Sequence, residues 1–456
     1  MHTPNWLNIT YAILASMITA TSYGDELKDD RKLIMVLFDA FRWDYPYLIS
    51  GLNGFQRLAT EGVRAENLMP EFPTMSWPNH YSLTTGLHIG DHGMMENRMY
   101  EPESKKVFDW GSPSYSDPFW WNGGEPIWVT ATRQKKRCRM YYWLGCEVPI
   151  RNYTPEYYIK YTDDPGPSAY EIKRSMKETF EHMMENKTDF AGFYFARTDY
   201  FAHHQGLFTR DFNETMREAD GIITYLLDNL ANSNLAETTD VIIFSDHGMT
   251  TKDPRKTIWL GNLFNETSWG DSVEWSSIRY SDVCIWPRKG KTKWIHHQLK
   301  DKHPHLHVYL KEEIPQDQFW HFKHSRFTPP IFLLADIHWS ILGIHHEYRP
   351  GGTHGYDNRE IDMRGIFYAT GPDFKGNYTA KPFANVNIYQ IMCQILGIDP
   401  SPHNGTWEAV EDMMVTAYND TKRNGTDMMT EDKRYLESRG GPVFLLALVL
   451  LLFILL

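Results

Sequence analysis

Six residues are suited to metal coordination, and five of them stand at or just past the abrupt ends of apolar runs. Asp39 closes "KLIMVLFDA", Asp199 and His203 follow "DFAGFYFAR", Asp246 and His247 close "DVIIFSDHG", and His354 sits in "GGTHGYDN". Carboxylate oxygen and imidazole nitrogen are ligands that zinc accepts. The four-residue step from Asp199 to His203 puts both on one face if the chain turns helical after its strand, whereas adjacent Asp246 and His247 point in different directions and could serve different parts of a site. A seventh residue, Ser76, lies in "PEFPTMSWPNHYS", where prolines fix φ and bias the residues before them to extended backbone. Three carboxylates and an ionised Ser76 carry four negative charges, which two zinc ions balance. Two ions about 3.5 to 4 Å apart clamp the attacking and leaving oxygens of an in-line displacement at phosphorus, and a metal lowers the pKa of a bound oxygen. Ser76 is therefore the candidate nucleophile.

Taken singly, each of these residues has a plainer reading. An aspartate at a strand end is most often a cap, and a histidine among twenty is most often a surface residue. The "HPHLH" run at His303 to His307 alternates like an exposed strand face. "DHGM" occurs twice, at Asp91 to Met94 and Asp246 to Met249, but only the second copy follows an apolar strand. The specificity lies in the joint pattern.

Positioning such a set requires a sheet. The runs ending at Asp39, Asp199 and Asp246 are short and β-branched or aromatic, as buried strands are. "SAYEIKRSMKETFEHMMEN" and "FNETMREADGIITYLLDNLANS" carry apolar residues three and four apart, as helices do. The alternation predicts an α/β fold, a mostly parallel sheet covered by helices on both faces, with functional residues at the carboxyl ends of the strands. From 251 to 349 the texture changes to short strands and proline-broken loops, "SSIRYSDVCIWP", "PHLHVYL" and "FTPPIFLLADIHW", which predicts a smaller inserted lobe without helices. The first pattern resumes at "MRGIFYATGPDF" and the helix "NVNIYQIMCQILGI". The catalytic domain is expected over 31–406 and a polar stalk over 407–440. "NHYSLTTG" is expected to begin a helix whose N-terminus favours an anion.

At 456 residues with 42% hydrophobic side chains the chain can build a large core, and its net charge of −12 argues against a nucleic-acid footprint. Residues 1–22, with the run "YAILASMITA", read as a signal peptide, and the apolar run within 441–456 as a GPI-anchor signal. Eight N-x-[ST] sequons follow, at Asn152, Asn186, Asn213, Asn265, Asn377, Asn404, Asn419 and Asn424, each expected on an exposed loop. Together these predict the secretory route and the extracellular face of the plasma membrane, with release as a secreted form also open. Cys138, Cys146, Cys284 and Cys393 permit three pairings, among which sequence does not choose.

"FDAFRWDY", "PTMSWPNHYSLTTGLHIGDHGMMENRMY", "PFWWNGGEPIWVT", "FSDHGMT", "HGYDN" and "GPDF" resemble the ectonucleotide pyrophosphatase/phosphodiesterase family of the alkaline phosphatase superfamily, from about Leu33 to Trp407. The resemblance implies two zinc ions, one held by Asp39, Ser76, Asp246 and His247, the other by Asp199, His203 and His354. It implies that Asn97 and the backbone N–H of the nucleophile steady the phosphoryl oxygens. Ser76, "YYWLGCEV" and "YDNREIDMRGIFYATGPDFKGN" are similar to the choline-specific glycerophosphodiesterase branch. That branch cleaves glycerophosphocholine and choline lysophospholipids to phosphocholine and glycerol or monoacylglycerol, through a phospho-serine. A quaternary ammonium is best held by aromatic faces. Trp77, Tyr157, Tyr158 and Tyr194 are the cage candidates, beside Ser76, Asn97, Asp199, His247 and His354 as substrate contacts. The branch's cysteine beyond the position of Cys146 has no counterpart here, where Tyr157 and Tyr158 stand. Nucleotide pyrophosphatase and sphingomyelin-type phospholipase C activities are the alternatives. A homodimer is left open.

Overall fold

A computed structural model describes residues 31–415 apart from positions 111, 162, 163, 265 and 345. The expected signal peptide, most of the stalk and the anchor signal lie outside these residues. Among the described residues no helix is long and apolar enough to cross a membrane.

Eight strands form the main sheet: β1 (Lys32–Phe38), β2 (Val63–Ala65), β3 (Cys138–Tyr141), β4 (Tyr157–Ile159), β5 (Phe190–Phe195), β6 (Thr239–Phe244), β7 (Phe367–Thr370) and β8 (Tyr378–Ala380). Their order is β8-β2-β7-β6-β1-β5-β3-β4. The run from β6 to β4 is parallel, and only β7 lies antiparallel to its two neighbours. Strands buried on both faces carry continuous apolar runs, which is why "KLIMVLF", "FAGFYF" and "TDVIIF" show no alternation. In register, Leu33 stands beside Phe190 and Asp240. The carboxyl ends of β1, β5 and β6 therefore open at one edge, where Asp39, Asp199 and Asp246 follow.

Helix α1 (Ser76–Thr85) is buried along its whole length and ends at Gly86, whose φ of 68° is left-handed. It starts three residues earlier than "NHYSLTTG" suggested, so Ser76 is its first residue. Pro78 is tolerated because N–H groups of a first turn have no intrahelical acceptor. Helices α2 (Ala169–Met184) and α4 (Arg210–Ala231) bury Ile172, Met176, Phe180, Phe212, Ile223 and Leu226 against one sheet face. Between them α3 (Arg197–Gln205) continues straight from β5 and carries Asp199 and His203. On the far side α5 (Ile388–Leu396) packs against β1 and α1.

Within 251–349, strands Val273–Ile278, Asp282–Pro287, Ile331–Ala335 and Leu306–Leu310 pair in that order as an antiparallel sheet with its own core. Helices were not expected here, yet Thr292–Leu299 forms one, burying Ile295 and Leu299. His305 and His307 both bond Asp336, at 2.8 and 2.6 Å, in keeping with an exposed structural face. His92 of the first "DHGM" is buried, its Nε2 2.8 Å from Ser82 Oγ, and it too is structural.

Three sequence expectations are corrected. Residues 407–415, expected as stalk, fold onto the domain, because Trp407, Val410 and Met413 are apolar enough to bury and Met414 bridges Phe374. The four cysteines are buried thiols and form no disulfide. Burial pushes the Cys138 thiol up to about 12, far from the reactive thiolate. Asn213 lies in α4, half-buried, rather than on an exposed loop.

Candidate active site

A cleft of about 270 Å³ opens at the carboxyl edge of the sheet, lined among others by Asp39, Ser76, Trp77, Asn97, Tyr194, Asp199, His203 and His354. Asp246 and His247 are buried behind it. His247 Nε2 lies 3.2 Å from Ser76 Oγ, 3.4 Å from Asp246 Oδ2 and 3.5 Å from Asp39 Oδ1. Asp199 Oδ1 lies 3.2 Å from His203 Nε2 and 3.6 Å from His354 Nε2. The His247 and His354 rings stack at 3.9 Å and join the two groups. All seven residues singled out by type and spacing thus meet in one place.

The backbone fixes the tautomers. Nδ1 of His203, His247 and His354 donates to the carbonyl oxygens of Gly352, Gly248 and Thr74, at 2.9, 2.8 and 2.8 Å. Each neutral ring then carries its lone pair on Nε2, the atom that faces the carboxylates. Asp39 Oδ1, Asp199 Oδ1 and Asp246 Oδ2 are buried with no hydrogen-bond partner. Acceptors face acceptors across both groups. A buried arrangement of this kind is costly unless cations lie between them, so the donor set fits two divalent ions. Carboxylate oxygen with imidazole suits zinc.

Electrostatics separate the three acids. Burial, then the nearby Asp246 and Asp199, push Asp39 well above the ordinary carboxylate range, although the Tyr194 hydroxyl donates to it. Burial also works against Asp246, but His247 and His80 hold it below its ordinary value. Burial and then His247 depress His354 far below a free imidazole.

Two backbone features hold the frame. Asn79, one turn along α1 from Ser76, accepts the Glu71 N–H at 2.7 Å and donates to the carbonyls of Met75, Glu71 and Pro73 at 2.9, 3.2 and 3.2 Å. This staples the proline-rich stretch to its own helix. Gly351 has φ of 124°, and a Cβ there would lie 2.0 Å from the His203 carbonyl oxygen, so the loop closes on α3 only through glycine.

The aromatic candidates divide. Tyr194 lines the cleft, bonded to Asp39 and 5.6 Å ring to ring from Tyr161. Trp77 lines it too, but only 6% of it is exposed, packed on Phe108, Tyr115 and Trp121. Tyr157 and Tyr158 are not in the cleft. They lie on β4, the last strand of the sheet, 37% and 41% exposed, with the Arg139 guanidinium 4.0 Å over Tyr157. The strand points its side chains outward there, and the chain reaches the cleft only past its carboxyl end, at Tyr161.

Several lining residues were not picked out from sequence. Tyr161 donates to Asp164 at 2.6 Å, and Trp110, Tyr200, Arg279 and Tyr280 complete the wall. His80 lies 3.5 Å from Asp246 Oδ2 and could complete that acid's surroundings. Its signal was present, since it follows Ser76 by four residues on one helix.

The family described as type I phosphodiesterase / nucleotide pyrophosphatase matches residues 33–357. The chain is 36% identical over 407 residues to the bis(5'-adenosyl)-triphosphatase of Bos taurus, covering 88% of this chain and 86% of that one. It is 29% identical over 424 residues to ectonucleotide pyrophosphatase/phosphodiesterase family member 7 of Mus musculus, covering 89% and 91%. The structure of murine family member 5, an inactive variant in complex with AMP, superposes with a TM-score of 0.77 at 30% identity, covering 84% of this chain and all of that one. The fold is alkaline-phosphatase-like.

Proposed function

The chain belongs to the type I phosphodiesterase / nucleotide pyrophosphatase family, and on that premise we propose that it is a zinc-dependent ecto-phosphodiesterase that cleaves glycerophosphocholine and choline lysophospholipids to phosphocholine. One observation carries the hydrolytic part of the reading: three imidazole lone pairs and three unpartnered carboxylate oxygens gather at the cleft that holds Ser76, with His247 Nε2 3.2 Å from its hydroxyl. Asp39, Asp246, His247 and Ser76 would hold one zinc, and Asp199, His203 and His354 the other. When bound, the two ions supply Lewis-acid charge that favours an ionised serine and offsets charge on the phosphoryl oxygens.

The chain's own residues do the rest. Ser76 is the first residue of α1, at the end of the helix whose dipole favours an anion. Its Oγ forms a bond to phosphorus as the bond to the glycerol or monoacylglycerol oxygen breaks, and that alcohol leaves with a proton. Phosphocholine stays on Ser76 until water attacks phosphorus in a second displacement and restores the serine. Asn97 lines the cleft and offers its amide N–H to a phosphoryl oxygen.

Recognition of choline rests on Tyr161, Tyr194, Trp110 and the exposed edge of Trp77, with the Asp164 carboxylate supplying opposite charge. Aromatic faces contribute roughly 0.5 to 2 kcal/mol each to a quaternary ammonium. A nucleotide substrate is the second reading, favoured by Arg279 in the same wall and by the AMP-complexed neighbour. The deciding experiment offers the purified protein p-nitrophenyl phosphocholine and a nucleotide p-nitrophenyl ester, with and without chelator. A higher kcat/KM for the choline ester supports the proposal, and a higher value for the nucleotide ester overturns it. Cell-surface display through a lipid anchor belongs to the same proposal, tested by release of the protein from cells with a GPI-cleaving phospholipase.

A further inference from the structure

A second donor cluster lies apart from the Ser76 cleft. Glu71 is buried at 2% exposure, and its two carboxylate oxygens meet one imidazole each: Oε1 lies 3.0 Å from His88 Nδ1 and Oε2 3.1 Å from His321 Nδ1. The two rings stack at 3.7 Å with 24° between their planes, so both nitrogens are aimed at one carboxyl group. One ligand atom from each residue lies within 4.8 Å of the others. Zinc bonds of about 2.0 to 2.2 Å in tetrahedral geometry place donor atoms roughly 3.3 Å apart, so the spacing is close to that of a ligand set.

Three features favour a cation here over a simple hydrogen-bonded trio. A buried carboxylate needs a charge partner, and the ion pairs of Glu71 are with these two histidines, with neither lysine nor arginine among them. The imidazoles are about a quarter exposed and border a cleft of about 180 Å³ lined also by Asp91, Gln316, Lys323 and His324, which leaves an entry path and an open coordination position. Lys323 is engaged elsewhere, donating to the Glu312 carbonyl at 2.8 Å. Finally, the three residues come from three segments. Glu71 belongs to the stretch stapled by Asn79, His88 follows α1, and His321 comes from the inserted 251–349 segment. That segment approaches so closely that a Cβ on Gly90 would fall 2.1 Å from the His321 carbonyl oxygen.

We propose that Glu71, His88 and His321 form an accessory site for a divalent transition-metal ion of the zinc class, which ties the inserted segment to the frame holding Ser76. Binding to the folded state alone stabilises it by mass action, so added zinc raises the melting temperature through this site as well as through the Ser76 cleft.

The direct test uses the unaltered protein. Crystals soaked in zinc chloride give anomalous difference maps on either side of the zinc edge, and a peak is expected between Glu71, His88 and His321. Its position distinguishes it from any ion at Ser76, so failure of the catalytic reading would not touch it. In solution, His88→Gln and His321→Gln should each lose about one zinc per chain after dialysis against micromolar zinc, while hydrolysis of p-nitrophenyl phosphocholine persists. No anomalous peak overturns the proposal and leaves Glu71 paired by a protonated imidazole alone. Unchanged zinc content in folded, active variants overturns it equally.

Discussion

The Trp77 backbone N–H donates to Asn97 Oδ1 at 3.0 Å. The Asn97 backbone N–H is itself held by the buried Glu96 carboxylate, so the amide is oriented from both ends with its NH2 left for the cleft. Asn97→Ala should lower kcat about 10²- to 10³-fold with little change in zinc content, the size expected for one lost donor to a developing oxyanion. Asn97→Asp keeps an acceptor for Trp77 but presents negative charge to the phosphate. It should be no better than alanine, and steady-state kinetics of the two variants checks both points.

Tyr161 and Asp164 differ in what they contribute to choline. Asp164 is exposed, so water screens it, and an exposed charge pair contributes at most about 1 kcal/mol. Asp164→Asn should raise KM for p-nitrophenyl phosphocholine by about fivefold or less. Tyr161→Ala should raise it more, up to roughly 30-fold, if the ring faces the ammonium. Neither change should weaken a nucleotide ester to the same degree, and KM values for both esters decide it.

Gly351→Ala places a methyl group where the His203 carbonyl oxygen lies and at a φ unsuited to alanine. The expected outcome is loss of about one zinc per chain at limiting zinc, and a fall in kcat, with far-UV circular dichroism unchanged. Metal analysis of the purified variant measures it.

Much of this arrangement was legible in the sequence, because strand ends are marked chemically. Asp39, Asp199 and Asp246 stand where apolar runs stop, and the four-residue step from Asp199 to His203 needed only a helix after the strand. Ser76 was legible from its prolines. The cage was not. Tyr157 and Tyr158 stood out as a pair, but a strand's last position in the sheet is a tertiary fact, and only the chain beyond its carboxyl end reaches the cleft, as Tyr161 does. Arg279 and Tyr280 come from a segment whose docking no local pattern announces. The early start of α1 was hidden by Pro78, which reads as a helix breaker anywhere except a first turn.

Asp240 is the second residue of the fully buried strand β6, at the opposite end of that strand from the cleft. Burial and then the nearby Asp373 carboxylate raise it to about 8, against the Asp373 N–H that it accepts at 2.9 Å. An acid whose folded pKa is raised favours the folded state fully below its unfolded value near 4 and loses that contribution as pH climbs to 8. Asp240→Asn removes the ionisation and keeps an acceptor for Asp373. Its melting temperature should exceed that of the unaltered protein at pH 8, with the gap closing toward pH 5, which thermal scans across that range can follow.

The central claim is that the Ser76 oxygen, not water, first attacks phosphorus. A choline phosphodiester made chiral at phosphorus with sulfur and heavy oxygen, hydrolysed in isotopically labelled water, records the number of displacements in the configuration of its product. Two in-line displacements through Ser76 predict net retention. Net inversion would mean that water attacks directly, and would contradict the assignment of Ser76 as the nucleophile.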